Sequence, residues 1–409
     1  MSNQPERQKA ALILPGGGAR GAFQVGVLKA LAEVLPRTSA NPFPVISGTS
    51  AGAVNAVVMA SRAHHFRTAV AELEHVWGHF RCNHVYKTDN WTMLKSGLHW
   101  AAALMTGGLA VSPPKSLLDN SPLRRLLSGQ IHFPRIQDAI AAGHLDAIAV
   151  TAAGYGSARS KTFFEGRKGL VDWERTRRLG IRAELGLDHL MASIAVPMVF
   201  PPQQIGNEYY GDGAMRQATP LSPAVHLGAD RILVIGIRDE TADKTPEVLG
   251  DSPSLAQIAG YMLDTLFMDG LYSDLERVTR INQLIDAVPE PDRTGPLHKV
   301  RPLDTMLVVP SEDLRVVAEH HRKSLPRAIR ALLRGVGGNS PGENKLLSFL
   351  LFESDYTREL IDLGYHDALK VRDELVEFVT GKDVPRLFAP EWIKRDLNAF
   401  GDSEQVNRA

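Results

Sequence analysis

Short apolar runs, each closed by glycine or proline, dominate the first half of the chain. Residues 11–15 (ALILP), ahead of three glycines, read as a short buried strand. Ala19–Leu35 then reads as a helix apolar on most sides, a pattern that belongs inside a domain. Phe43–Ser47 reads as a second strand, ending in Gly48-Thr49-Ser50-Ala51-Gly52, with a small-residue helix continuing to about Arg62. Strand, helix, strand, helix in quick succession predicts a parallel sheet covered on both faces. Further strands are predicted at Asp146–Tyr155, Lys161–Glu165, Glu208–Tyr210, Arg231–Ile237 and Thr305–Val309, the first two as a hairpin. Residues 85–130, with Trp91, Trp100, Leu104 and Met105, read as a helical insertion able to lie over an active site as a lid. Residues 340–409 read as helices from their polar–apolar period, with Gly364 as a helix stop.

Composition narrows the class. Of 409 residues, 44% are hydrophobic and 22% charged, values of a folded globular chain rather than a disordered one. The 46 Lys+Arg balance 46 Asp+Glu, so there is no general attraction for nucleic acid or an anionic membrane. A single cysteine, Cys82, excludes an internal disulfide framework and fits a reducing compartment. The apolar run after residue 10 is too short for a signal segment, and no run of about 18 apolar residues follows. The expectation is a cytoplasmic protein, able to meet a lipid peripherally at a membrane.

Two glycine-rich turns carry the candidate chemistry. Gly16-Gly17-Gly18-Ala19-Arg20-Gly21 suits a pyrophosphate site at a helix N-terminus. It equally suits an anion cradle built from the N–H groups of Gly17 and Gly18, or a plain tight turn. A dinucleotide site needs an acidic residue about 20 positions on to hold the ribose. No Asp or Glu occurs between Pro36 and Gly52, which counts against a nucleotide. Gly48-x-Ser50-x-Gly52 is the stronger signal, because a sharp strand-to-helix turn exposes the serine Oγ and the glycines avoid Cβ clashes. Two such turns at neighbouring strand ends bring cradle and nucleophile to the carboxyl edge of the sheet, where open α/β sheets bind ligands. A base is offered by Asp212 in Gly211-Asp212-Gly213-Ala214, although Asp-Gly is also a common hairpin turn.

The segments GGGARG (16–21), GTSAG (48–52), ASIAVPMVFPP (192–202) and DGA (212–214), in this order, resemble the patatin-like phospholipases and lipid acyl hydrolases. LLDNSPLRRLL (117–127) and DRILVIGIR (230–238) extend the likeness across residues 11–335. The resemblance implies a three-layer α/β/α hydrolase domain over residues 9–335, with a mainly parallel sheet, and a C-terminal helical extension over 336–409. It implies that Ser50 is the nucleophile and Asp212 the base of a Ser–Asp dyad cleaving carboxylic esters of lipids. The oxyanion hole would be the turn Gly16, Gly17 and Gly18 with Arg20 beside it, while Gly48, Gly52 and Gly213 shape the motifs. Ala214 stands where many members carry glycine. The implied partner is a lipid or phospholipid substrate, with no nucleic acid, metal or cofactor. Two competitors stand beside this reading: a non-catalytic lipid-binding or regulatory protein on the same fold, and a nucleotide-dependent oxidoreductase. Intact Ser50, Asp212 and cradle oppose the first, and the missing ribose-binding acid opposes the second.

Such a dyad sets a physical demand. Free aspartate, with a pKa of about 3.9, is a poor base, so burial must raise its proton affinity. Of the fourteen histidines, His226, His320 and His321 follow Asp212 as a triad histidine would, but none is expected to be catalytic. His75, His79, Cys82 and His84 form a loose cluster that matches no closed zinc spacing, and an ordinary helix is preferred. Residues 159–184 hold eight Lys/Arg against four Asp/Glu, net +4, read as a solvated hairpin ahead of a lipid-headgroup contact.

Overall fold

Alternation within the strands decides the architecture. Leu12, Leu14, Ile46, Ile148, Val150, Leu233 and Ile235 enter one buried cluster, while their neighbours Ala11, Ile13, Val45, Ala147, Ala149, Ile232 and Val234 enter another. Successive strand side chains point to opposite faces, so a strand apolar at every position must be covered on both. The computed structural model describes residues 8–89, 99, 106, 116–238, 254–289, 293–294, 300–335, 343–382 and 384–395. Most of the predicted lid, at 90–98, 100–105 and 107–115, lies outside the described residues.

Chain order runs β1 (Ala10–Leu14), α1 (Ala22–Val34), β2 (Val45–Thr49), α2 (Ala51–Ser61), α3 (Phe66–Gly78) and β3 (Ala147–Gly154). It continues through β4 (Ser160–Gly166), β5 (Trp173–Arg175), β6 (Arg178–Arg182), α4 (Leu187–Ser193), β7 (Gln203–Ile205) and β8 (Glu208–Asp212). Then come β9 (Arg231–Ile235), α5 (Leu255–Asp286), β10 (Asp304–Val308), α6 (Glu343–Leu350), α7 (Ser354–Lys370) and β11 (Leu387–Phe388), with further helices between. The sheet order is β11-β10-β9-β1-β2-β3-β4-β6-β5, with β8 added to the end of β3 and β7 to β8. From β11 to β3 every pairing is parallel; β3–β4 and β3–β8 are antiparallel. The fold is a three-layer α/β/α sandwich. Because β1 has β2 on one side and β9 on the other, the chain reverses its direction of travel there, and a crevice opens at the carboxyl ends of β1 and β2.

All seven predicted strands are present, their ends shifted by at most two residues, and the predicted hairpin is β3–β4. The short strands β5, β6, β7 and β11 were not anticipated. The first predicted helix is divided: a 3-10 turn over Gly18–Gly21 precedes α1. Gly364 does not stop a helix but sits inside α7. Its role is close approach, since a Cβ at Gly364 would stand 2.2 Å from the Phe23 carbonyl oxygen and one at Gly26 2.0 Å from that of Ile361. Helices α1 and α7 therefore cross backbone to backbone, with Tyr356, Leu360 and Ile361 of α7 buried. Each such buried side chain contributes roughly 1.5–3 kcal/mol.

Candidate active site

The glycine turns and the nucleophile meet because the ends of β1 and β2 are adjacent and their side chains are minimal. Ser50 follows β2 directly, with φ 54 and ψ −129, a positive-φ conformation costing roughly 1–3 kcal/mol for a residue with a Cβ. Its neighbours could not be larger: a Cβ at Gly48 would lie 2.4 Å from the Gly52 carbonyl oxygen, and one at Gly52 2.0 Å from that of Leu14. A Cβ at Gly16 would lie 2.7 Å from the Ser50 Cβ, so the first glycine turn abuts the nucleophile. Buried polar side chains hold this arrangement. Gln24 Nε2 donates to the Pro15 carbonyl at 2.9 Å, Asn55 Nδ2 donates to that of Gly21 at 3.1 Å, and Trp77 Nε1 donates to Asn55 Oδ1 at 2.8 Å.

Strand register brings in the carboxylate. Thr49 pairs with Thr151 of β3, and Asp212 pairs with Ala152, so Ser50 and Asp212 flank consecutive residues at the end of β3. The two side chains are close enough that the Ser50 hydroxyl acts on the Asp212 carboxylate. Gly213 permits the turn, since a Cβ there would meet the Thr151 carbonyl oxygen at 2.1 Å. Ser193, at the end of α4, ties the parts together: its Oγ accepts from the Ser50 N–H at 2.9 Å and donates to the Thr151 carbonyl at 2.7 Å. Asp212 N–H donates to the Ala195 carbonyl at 2.8 Å.

Asp212 is buried, 1% exposed. Its Oδ1 accepts from Ala214 N–H at 2.9 Å, while Oδ2 has no hydrogen-bond partner among the described residues. Desolvation pushes its pKa from 3.8 up to about 7, opposed in smaller measure by the Ser50 hydroxyl and the Ala214 N–H. The Ser50 hydroxyl thus stabilises the carboxylate without reaching hydrogen-bond geometry, a separation common before substrate arrives. Tyr155, half-exposed beside Gly211, has its own pKa raised by burial and then by Asp212.

A cavity opens at Ser50 with almost wholly apolar walls. Gly18, Val54, Trp77, Phe200, Phe267 and Phe352 are among its lining residues. The N–H groups of Gly17 and Gly18 have no hydrogen-bond acceptor among the described residues. Arg20 sits differently from the glycines it follows: its guanidinium is buried against Asp264, Ser348 and the Phe349 ring. Ser193, Ser348, Phe349 and Phe352 were not singled out by sequence reasoning. Only Ser193 carried a signal, lying inside the quoted segment 192–202.

The other candidates lie elsewhere. His226 stacks on Trp173 with ring centroids 4.9 Å apart, and burial followed by Arg175 and Arg178 lowers its pKa to about 4. His321 pairs with Glu359. His75 and His79 stack on each other at 4.5 Å, while Cys82 is buried with its thiol 3.8 Å from the Leu350 carbonyl oxygen. No group of three or more His, Cys, Asp or Glu able to hold a metal occurs among the described residues. In the basic stretch, Arg159 pairs with Glu174, and Arg182 donates to the carbonyls of Gly166, Arg167 and Leu170.

The family described as patatin-like phospholipase matches residues 12–225. No curated protein matches. Among solved structures, VipD from Legionella pneumophila aligns over 90% of this chain and 67% of its own, at 12% identity and a TM-score of 0.34. The type III effector ExoU aligns over 98% and 63%, at 13% identity and a TM-score of 0.27. The ExoU–SpcU heterodimer of the Pseudomonas aeruginosa type III secretion system aligns over 98% and 76%, at 14% identity and a TM-score of 0.26. The chain therefore spans about two thirds of the length of the first two.

Proposed function

The chain belongs to the patatin-like phospholipase family, and from that premise we propose that it is a lipid acyl hydrolase working through Ser50 and Asp212. One observation supports this most directly: a buried carboxylate, its pKa pushed up to about 7 by desolvation, adjoins a strained serine that lines an apolar cavity. A base poised near working pH is what proton transfer needs.

In this reading Ser50 Oγ attacks the ester carbonyl carbon as Asp212 Oδ2 takes the hydroxyl proton. The tetrahedral intermediate's oxygen is held by the N–H groups of Gly17 and Gly18, where losing one donor typically costs about 3 kcal/mol. Collapse breaks the C–O bond, the departing alcohol takes the proton from Asp212, and an acyl-Ser50 ester remains. Water, deprotonated by Asp212, then attacks this ester; collapse breaks the Ser50 Oγ–acyl bond, Asp212 returns the proton to Oγ, and the fatty acid leaves. The apolar cavity suits the acyl chain, because its walls offer almost nothing to a polar ligand. Ile258, Tyr261 and Met262 are exposed on the helix whose Leu263 and Phe267 line that cavity, which supports peripheral contact with a lipid surface. Among the described residues, no helix is long and apolar enough to cross a membrane.

Phospholipid vesicles and a fluorophosphonate probe test the assignment. Wild type should release fatty acid and be labelled; Ser50→Ala and Asp212→Asn should do neither at measurable rates. Turnover by Asp212→Asn at the wild-type rate would remove the dyad.

A further inference from the structure

The glycine turn is held from a part of the chain beyond the matched stretch. Arg20 lies within the 3-10 turn Gly18–Gly21, and it is 1% exposed. Its Nη1 donates to Asp264 Oδ1 on α5 at 3.1 Å. Its Nε and Nη2 donate to Ser348 Oγ on α6 at 2.9 and 2.6 Å. The Ser348 hydroxyl proton is already donated to the Lys345 carbonyl at 2.7 Å, so both oxygen lone pairs face Arg20. The guanidinium lies 3.9 Å over the Phe349 ring. Asp264 is itself buried, with Arg238 Nη1 3.8 Å from its other oxygen.

The same helix presses on the other end of the turn. A Cβ at Gly18 would stand 2.3 Å from the Phe349 carbonyl oxygen, and Gly18 has φ +55. Thus α6 grips the turn at Gly18 through its backbone and at Arg20 through Ser348. A buried ion pair is poor value as a stabiliser, since desolvation offsets much of its attraction. It does fix geometry, because a planar guanidinium with a forked set of donors admits one orientation.

We propose that Arg20, Asp264 and Ser348 form a positioning clamp that aims the N–H groups of Gly17 and Gly18 at the developing oxyanion. None of the three touches the reacting atoms; they act through the turn. The inference rests on the dyad reading above. It also makes α5 and α6, both outside residues 12–225, necessary for turnover.

The test compares Ser348→Ala, Asp264→Asn and Arg20→Lys with wild type on a soluble chromogenic ester. Oxyanion donors act only in the transition state, so misaiming them lowers kcat and leaves KM alone. Ser348→Ala should lower kcat roughly tenfold and Asp264→Asn roughly a hundredfold, with KM within about twofold. Fluorophosphonate labelling should slow in step. Hydrogen–deuterium exchange should quicken in the peptide containing residues 16–21 and stay unchanged across β1 and β2. Asp264→Asn leaves a buried cation without its partner; if it fails to fold, Ser348→Ala and Arg20→Lys decide. Unchanged kcat and exchange in those two, or KM rising as kcat falls, overturns the clamp. A wild-type protein that neither labels nor hydrolyses the ester removes the dyad itself, and the clamp with it. A labelled wild type with unaffected variants removes the clamp alone.

Discussion

Replacing Asp212 by Asn should abolish turnover and yet stabilise the fold, by an amount that depends on pH in a specified direction. The folded-state pKa of about 7 stands above the ordinary value of 3.8. Below pH 3.8 the carboxyl is neutral in both states and nothing is lost. As pH rises from there to about 7, the unfolded chain releases the proton while the folded chain retains it, so stability falls; above 7 the loss is complete. Each pH unit across that interval is worth about 1.4 kcal/mol, so the ionised carboxylate costs the native state on the order of 4 kcal/mol. Asparagine keeps an oxygen to accept the Ala214 N–H and carries no charge, although its amide is also expensive to bury. The expected gain is therefore about 2–4 kcal/mol at pH 8, shrinking to within about 1 kcal/mol at pH 4.5. Urea unfolding of both proteins at the two pH values measures it. An equal difference at both, or a variant less stable than wild type at pH 8, would refute the assignment of a high proton affinity to Asp212.

Three further outcomes are expected. Because only the ionised form of Asp212 accepts a proton, kcat/KM should rise about tenfold per pH unit on the acid side and level off above about 7; a flat profile from pH 5 to 8 would exclude this carboxylate as the base. At Ser50, where φ is 54, Ser50→Gly should be more stable than Ser50→Ala by about 1 kcal/mol in thermal unfolding, since glycine alone adopts that conformation freely. Gly364→Ala should cost about 1–3 kcal/mol and loosen α7 from α1, read as a lower Tm with faster hydrogen exchange in both helices, because its Cβ would stand 2.2 Å from the Phe23 carbonyl oxygen.

What could be read from the chain alone is what its local rules govern. Strands β1, β2, β3 and β9 carry apolar residues on both alternating sets of positions, and a two-residue period cannot hide such a strand on one face, so the layered sheet followed. The turn at Gly48–Gly52 was equally legible, because the strain at Ser50 and the glycines that permit it lie within five residues. Asp212 was singled out through its place in a motif, since Asp-Gly by itself is an ordinary turn. Its basicity is a tertiary property: it arises from the register that sets Asp212 opposite Ala152 and from the burial that follows. Gly364 shows the same limit in reverse, because a helix-stopping glycine and one that lets two backbones touch are identical until the partner helix is in place. Ser193 was marked only by lying inside a quoted segment, and Asp264 and Ser348 carry no local signature, being polar residues among others in their helices. Their significance comes from contacts spanning 143, 244 and 328 residues, and contacts between parts so remote exist only once the sheet has brought its strand ends together.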